Sequence, residues 1–317
     1  MAQTLGELGE FGLIAAVTSR LPTSPSVLVG PGDDAAVLRA DDARVVATKD
    51  VLVEGVHFRR DWSSAVDVGT KAAAASLADV AAMGAVPTAL LVGLAAPGDL
   101  PVEWAHGLSE GIRSECERVG AAVAGGDTVR SPVLMVSVTA LGDLQGREPV
   151  LRSGARVGDV VALAGRLGWS AAGLAVLTRG FRSPRVLVDA HRRPAPPYDA
   201  GPQAAELGAT AMCDVSDGLV QDLGHVAEAS GVTIDVVSKA LDVAAPLRDV
   251  AAAVRADPLA WVLGGGEDHA LVATFPPGTA IPPQWRVIGE VRDGDGDVVV
   301  DGAPYDGERG WDAFRGT

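Results

Sequence analysis

Three observations predict an α/β fold built from two mixed domains. Strand-like and helix-like segments alternate through the first half of the chain, a stretch rich in Gly, Arg and Pro at Gly142–Gly158 interrupts them, and the alternation then restarts. With 317 residues, 48% hydrophobic and 21% charged, and no long biased tract, the chain can bury two cores of ordinary size. The boundary divides it into residues 1–145 and 146–317. No fixed-period repeat is present.

Gly9–Arg20 carries Phe11, Leu13, Ile14 and Val17 at helical spacing and reads as an opening helix. Val27–Val29, Ala36–Leu38 and Val45–Thr48 read as short strands. Asp67 has the chemistry of an N-cap for a helix running to Met83, with Gly84 as its left-handed stop. Pro87–Ala96 is strand-like, Val102–Val119 is helical with charge on one face, and Ala122–Ala124 and Val133–Leu141 are strand-like again. Beyond the boundary come a strand at Val160–Ala164, a helix at Ser170–Thr178, a polar Pro-rich connection at Ser183–Gly201, and renewed alternation from Ala211 that includes a helix at Leu219–Ala229. The acidic run Asp293–Asp297 starts like an EF-hand loop but continues with Val298 and Pro304 where Gly and Glu are needed, so it reads as a hairpin turn before Val298–Val300.

A net charge of -15 and a pI near 4.7 exclude nucleic acid and anionic membrane as partners, since both would be repelled. Cys116 and Cys213 are far apart and form no zinc or disulfide spacing; each reads as a small packed thiol. The longest weakly polar run, Ala85–Pro97, is too short to span a bilayer, and the N-terminus lacks a signal-peptide pattern, so a cytoplasmic protein is expected. There is no Gly-x4-Gly-Lys-Ser/Thr loop, no Gly-x-Gly-x-x-Gly after a strand, no kinase-type His-Arg-Asp loop and no Ser-His-Asp grouping.

What the chain has instead is seven aspartates in short Gly/Ala-rich motifs: Asp33 and Asp34 in Gly-Asp-Asp-Ala-Ala, Asp50 after Thr48-Lys49, Asp79 in Leu-Ala-Asp-Val-Ala-Ala-Met-Gly, Asp127 in Gly-Gly-Asp-Thr, and Asp214 and Asp217 in Asp-Val-Ser-Asp-Gly-Leu. Converging carboxylates repel by roughly 4 kcal/mol per close pair at an effective dielectric near 20, so such a site needs cations. Oxygen-only donors select a hard ion, and Mg2+ takes a few carboxylates together with waters and substrate phosphates. Asp79 sits in a helix of Ala, Leu, Val, Ser and Met, which puts its carboxylate on a buried or half-buried surface. Asp127 is expected at a strand's end. Taken singly the motifs have plainer readings: Gly32-Asp33-Asp34 as an Asx-turn, Ser216 or Asp217 as a helix N-cap, and Gly264-Gly265-Gly266 as a flexible turn in place of a phosphate-binding one.

In order, Gly-Asp-Asp-Ala-Ala, Asp-Val-Leu-Val-Glu-Gly-Val-His-Phe, Leu-Ala-Asp-Val-Ala-Ala-Met-Gly-Ala, Gly-Gly-Asp-Thr, Arg-Ser-Gly-Ala-Arg-Val-Gly-Asp, Asp-Val-Ser-Asp-Gly-Leu and Gly-Gly-Gly-Glu-Asp resemble the motifs of the thiamine-monophosphate kinase family, from Gly9-Glu10-Phe11 to Gly310-Trp311-Asp312-Ala313-Phe314. The resemblance implies ATP-dependent conversion of thiamine monophosphate to thiamine diphosphate. It also implies a homodimer in which N-terminal domains that bind ATP and Mg2+ pair into a β-barrel, with a sandwich-like α/β C-terminal domain completing the site. By the same resemblance Asp33, Asp34, Thr48, Lys49, Asp50, Asp79, Asp127, Asp214 and Asp217 are metal positions. Gly126, Asp127, Arg152 and Ser216 contact ATP, and His57, Glu267 and either Trp311 or Phe314 contact the acceptor. Two positions depart from the family pattern: Lys49 replaces a Thr, so only its carbonyl is left as a ligand, and His269-Ala270 replaces Tyr-Glu.

A phosphate acceptor is already anionic near neutral pH, so no catalytic base and no phosphoenzyme are assigned; the expected chemistry is direct in-line transfer assisted by several Mg2+ ions. The alternatives are another ATP-dependent enzyme of the same superfamily, such as an aminoimidazole ribonucleotide synthetase-like one, and a non-catalytic protein that senses ATP or metal.

Overall fold

The computed structural model describes residues 3–19, 21–31 and 35–312. The chain divides into two compact units, Met1–Val80 with Ala85–Gly146, and Ala81–Gly84 with Arg147–Thr317.

The first unit opens with helices α1 (Leu5–Leu8) and α2 (Glu10–Thr18), separated at Gly9, whose φ of 74° is open to glycine. Thr4 and Glu7 form a capping box on α1. Strands β1 (Val27–Val29) and β2 (Val37–Leu38) make a small antiparallel pair. The main sheet consists of β3 (Val46–Val53), β4 (Val86–Ala96), β5 (Ala122–Arg130) and β6 (Met135–Asp143) in the order β3-β6-β4-β5, with α3 (Ala65–Ala82) between β3 and β4 and α4 (Val102–Val119) between β4 and β5. Only β4 and β5 pair in parallel, as a connection through a helix allows.

The sheet packs one face on α3 and α4. Val136, Val138 and Ala140 of β6 and Ala72, Leu77, Ala78 and Val80 of α3 are buried, and the many alanines let the layers approach closely. Gly69 of α3 and Gly111 of α4 let the two helices meet at backbone distance: a Cβ on Gly69 would lie 2.1 Å from Leu108 O, and one on Gly111 2.2 Å from Val66 O. Helix α3 begins two residues before the expected Asp67. Ser64 is the residue that starts it: Asp67 N donates to Ser64 Oγ and Ser64 N donates to Asp67 Oδ2, so Asp67 is the returning acid of a capping box. Gly84 (φ 76°) ends it as expected. Strand β3 runs to Val53, five residues past the expected end at Thr48, and β5 runs on to Arg130, so Asp127 lies inside a strand and not at its end.

The second unit contains β7 (Val160–Ala164), α5 (Trp169–Thr178), α6 (Arg185–Arg192), α7 (Ala200–Glu206), β8 (Ala211–Val215), α8 (Leu219–Ser230), β9 (Thr233–Val236), a 3-10 turn at Ser238–Ala240, α9 (Ala245–Val254), α10 (Pro258–Gly264), β10 (Ala270–Phe275), β11 (Trp285–Arg292), β12 (Val298–Val300) and β13 (Ala303–Pro304). Its sheet has the order β13-β12-β9-β11-β7-β10-β8, antiparallel except where β12 meets β9. Two expectations are corrected. The Pro-rich segment holds helix α6, with Leu187, Val188, Ala190 and His191 buried; its prolines flank the helix and do not interrupt it. The acidic run at 293–297 is no hairpin, because β9 lies between β11 and β12. Cys116 and Cys213 are both buried and free, as expected, and burial pushes the Cys116 thiol up to about 12.

Candidate functional site

Strand alternation sorts the acids of the first unit. Thr48 and Asp50 point from β3 toward α3, where Thr48 Oγ1 donates to Asp79 Oδ2 at 2.6 Å and Ser76 Oγ donates to Asp50 Oδ2 at 2.6 Å. Asp79 is half-buried, as its helix composition predicted. Ser76 is fully buried and was missed in the sequence, although its position three residues before Asp79 on an otherwise apolar helix was a usable signal. Lys49 faces the opposite side of the sheet and reaches Thr139 Oγ1 at 3.5 Å, so its side chain is turned away from Thr48 and Asp50 beside it.

Asp127 also stands on that outer side, in register with Gly93, which pairs with Ser137, which in turn pairs with Val51. The first unit therefore brings Thr48, Asp50 and Asp79 together and leaves Asp127 on the other face, at the edge strand β5. Gly126 is forced by packing: a Cβ there would lie 2.1 Å from Val92 O. Gly126, Asp127, Lys49 and Thr139 border an open cleft of about 890 Å³ whose other walls come from α2, the β1–β2 segment and α4. His57 lies in the turn after β3. Its Nδ1 accepts from Val53 N at 3.1 Å, which puts the proton of the neutral ring on Nε2. Asp33, Asp34 and Phe314 lie outside the described residues.

In the second unit, Asp214 lies in β8 and Asp217 in the loop that follows. Neither Ser216 nor Asp217 caps α8. The helix instead returns Asp222, whose Oδ2 accepts from the backbone N–H of both Asp217 and Gly218 at 3.0 Å. Burial pushes the Asp222 carboxyl up to about 7, against the pull of those N–H groups. Asp217 is also raised, by burial first and by the neighbouring Asp214 second, while His225, His269 and Arg152 pull the other way. His269 Nδ1 lies 2.9 Å from Asp214 Oδ2, both side chains buried, so the His269 that the sequence singled out supplies an imidazole partner to Asp214.

Gly264-Gly265-Gly266 is no flexible turn. A Cβ on Gly266 would lie 2.3 Å from Ser216 O, and Glu267 N donates to that same oxygen at 2.6 Å. The run thus clasps the Ser216–Asp217 loop, and Trp311 N binds Asp217 O on its other side at 3.1 Å. Arg152 and Trp311, both exposed, half-buried Ser216, Asp217 and Glu267, and buried Asp214 all belong to this unit. Buried Ser170, His191 and Asp268 stand beside Glu267 and were missed in the sequence, because only the fold brings their elements together.

Among the described residues no group of three or more His, Cys, Asp or Glu side chains converges as a metal centre. The carboxylates of Asp50, Asp79 and Asp217 are hard oxygen donors, a chemistry that fits Mg2+ with its remaining positions left to water and substrate phosphates, and not the nitrogen and sulfur set of zinc. No helix of the described residues is long and apolar enough to cross a membrane.

The two units carry the two domains of the AIR synthase-related proteins. The chain matches the AIR synthase related protein N-terminal domain over residues 32–144 and the corresponding C-terminal domain over 156–302. It is 50% identical over 315 residues to the thiamine-monophosphate kinase of Mycobacterium tuberculosis (strain ATCC 25618 / H37Rv), covering 98% of this chain and 93% of that one, and 42% identical to that of Corynebacterium glutamicum, covering 91% and 87%. A structure of AaThiL complexed with AMPPCP and TMP superposes with a TM-score of 0.81 at 35% identity, over 99% of this chain and 100% of that one. The thiamine-monophosphate kinase from Stenotrophomonas maltophilia K279a superposes with a TM-score of 0.80 at 31% identity, over 92% and 95%. The chain belongs to the thiamine-monophosphate kinase family.

Proposed function

We propose that this protein transfers the γ-phosphoryl group of ATP to the phosphate of thiamine monophosphate, giving thiamine diphosphate, by direct in-line displacement assisted by Mg2+. The observation that carries it is the likeness, over 99% of the chain, to the AaThiL structure complexed with AMPPCP and TMP. The obstacle to such a reaction is bringing two polyanions together; bound Mg2+ supplies the neutralising charge and aligns the phosphates.

Asp50 and Asp79, oriented by Ser76 and Thr48, would hold such an ion in the first unit, and Asp214 and Asp217 would do so in the second. By the family resemblance Asp33 and Asp34 would join them, whereas Asp127 stands on the opposite face and would meet the nucleotide from the cleft that Gly126 also borders. The Lys49 side chain takes no part, as it points to the other face. Gly126 lets the nucleotide approach the β5 backbone, Arg152 and Ser216 bind its phosphates, and His57, Glu267 and Trp311 bind the acceptor. Trp311, the described member of the Trp311/Phe314 alternative, is fixed by two backbone hydrogen bonds, one to Asp217 O and one from Gln221 Nε2. The acceptor oxygen needs no base, because a phosphate monoester's second pKa is near 6.

The protein acts as a homodimer through the outer face of the β3-β6-β4-β5 sheet. That face exposes Val51 (40%), Leu91 (36%) and Val129 (60%), and pairing it with a second copy buries them in a barrel. ADP release measured with ATP, Mg2+ and either thiamine monophosphate or an aminoimidazole ribonucleotide precursor tests the reading. It stands if only thiamine monophosphate drives turnover and falls if ADP forms equally without it.

A further inference from the structure

We propose that the buried pair Ser170–His191 is a positioning device that aims the carboxylate of Glu267 at a cationic or amine-bearing part of the acceptor. The proposal rests on the reading of Glu267 as an acceptor contact and adds the two residues that make it one.

The geometry converges on one imidazole nitrogen. Ser170 Oγ lies 3.0 Å from His191 Nδ1, and Glu267 Oε2 lies 3.4 Å from the same atom. Ser170 and His191 are 1% and 5% exposed, whereas the Glu267 side chain is 33% exposed. A buried hydroxyl and a buried imidazole thus meet a carboxylate that stands partly in the open. An exposed contact between flexible side chains orients little, but here both partners are fixed from behind. Gly173 of α5 lets α6 approach to backbone distance, since a Cβ on it would lie 2.1 Å from Leu187 O and 2.9 Å from His191 Cβ. Ser170 is held at its backbone as well, its N–H donating to Asp268 Oδ1 at 3.0 Å.

The backbone of the acidic pair is arranged for the same task. Glu267 (φ 65°) and His269 (φ 52°) both occupy the left-handed region, which non-glycine residues seldom adopt and which marks ligand-binding segments. Their N–H groups donate to Ser216 O and Val215 O, which hold the strained turn in place. The turn sends adjacent acids in opposite directions: Asp268 inward to the start of α5, Glu267 outward beside His191. A carboxylate so held suits a donor with positive or partial positive charge, which is what an aminopyrimidine or a thiazolium ring offers.

Steady-state kinetics on the full chain, with ATP and thiamine monophosphate varied separately, test the proposal. His191→Ala is expected to raise the acceptor KM about tenfold and leave the ATP KM within about twofold. His191→Asn, which sets an amide nitrogen near the Nδ1 position, recovers most of the loss. In the double variant His191→Ala/Glu267→Gln the acceptor KM is no higher than in Glu267→Gln alone, because the two residues act as one unit. If His191→Ala fails to fold, Ser170→Ala carries the same expectation with a smaller change in volume. Equal effects on both KM values, additive losses in the double variant, or no recovery with Asn overturn the proposal. A Glu267→Gln protein with an unchanged acceptor KM would instead sink the acceptor-site reading itself, and the proposal with it.

Discussion

Thr48 and Asp79 are joined by a 2.6 Å hydrogen bond from Oγ1 to Oδ2, and the next pair along the same seam, Ser76 and Asp50, repeats it in reverse at 2.6 Å. In one case the strand supplies the hydroxyl and the helix the acid; in the other the roles exchange. The seam therefore fixes two carboxylates on one side of β3 through hydroxyl donors. Thr48→Val keeps the shape and removes the donor. It is expected to destabilise the fold by about 1–2 kcal/mol, from an acid that has lost a partner, and to weaken the Mg2+ dependence of turnover. Urea unfolding and a Mg2+ titration check this; a variant unchanged in both would mean the seam is incidental.

Asp217 sits in its loop at an energetic disadvantage, since burial and Asp214 both disfavour its charge. Asp217→Asn relieves this strain and is expected to raise the melting temperature of the metal-free protein while turnover falls sharply. Such opposed effects are the mark of an acid kept for its ligand. A metal-free melting temperature that drops on substitution would assign the residue to the fold instead.

Asp268, with Asp222, contributes to the pH dependence of stability. Its carboxyl is pushed up to about 7, by burial first, and its Oδ2 is buried without a hydrogen-bond partner among the described residues. The folded value lies above the unfolded one, so the native state binds the extra proton between about pH 4 and pH 7. Stability from this group is therefore present at the acidic end of that window and is lost as pH rises through 7. Asp268→Asn should reduce the slope, leaving the part that Asp222 contributes, read from denaturant unfolding at a series of pH values, and an unchanged slope would remove Asp268 as a contributor.

Much of the scaffold was legible because local chemistry dictated it. Helix α4 follows from its one-sided charge, its Gly120 stop and the periodic Ala105, Leu108 and Ile112, and its bounds Val102–Val119 are those expected. Helix α6 was not legible, since eight residues between proline clusters read as a connection until α5 and Gly173 are there to pack against it. The acids themselves stood out by composition, but their grouping did not. Strand alternation puts Asp127 on the face opposite Asp50, a fact that depends on the register of all four strands. The Asp222 return to the Asp217 loop and the Ser76 tie to Asp50 likewise use residues whose local setting resembles any helix interior.

The glycines give a last test, because one substitution should act with opposite signs at two sites. Gly266 has an ordinary backbone conformation, yet a Cβ there would lie 2.3 Å from Ser216 O and 2.9 Å from Asp217 O, both of them backbone atoms that cannot rotate aside. Gly266→Ala must therefore push the Ser216–Asp217 loop away from the Glu267 turn, breaking the 2.6 Å bond from Glu267 N to Ser216 O. A loss of about 2 kcal/mol or more in stability is expected, within the range for overpacking, together with a steep fall in turnover. Gly224, inside α8, has no atom within 4 Å of where a Cβ would go. There Gly→Ala restricts the unfolded chain and suits the helix, so it should stabilise by about 0.5–1 kcal/mol and leave kcat unchanged. Unfolding curves and ATP turnover for the two variants side by side decide the matter. If Gly266→Ala is as benign as Gly224→Ala, the glycine run does not clasp the Ser216–Asp217 loop, and the organisation of this half of the site has to be drawn differently.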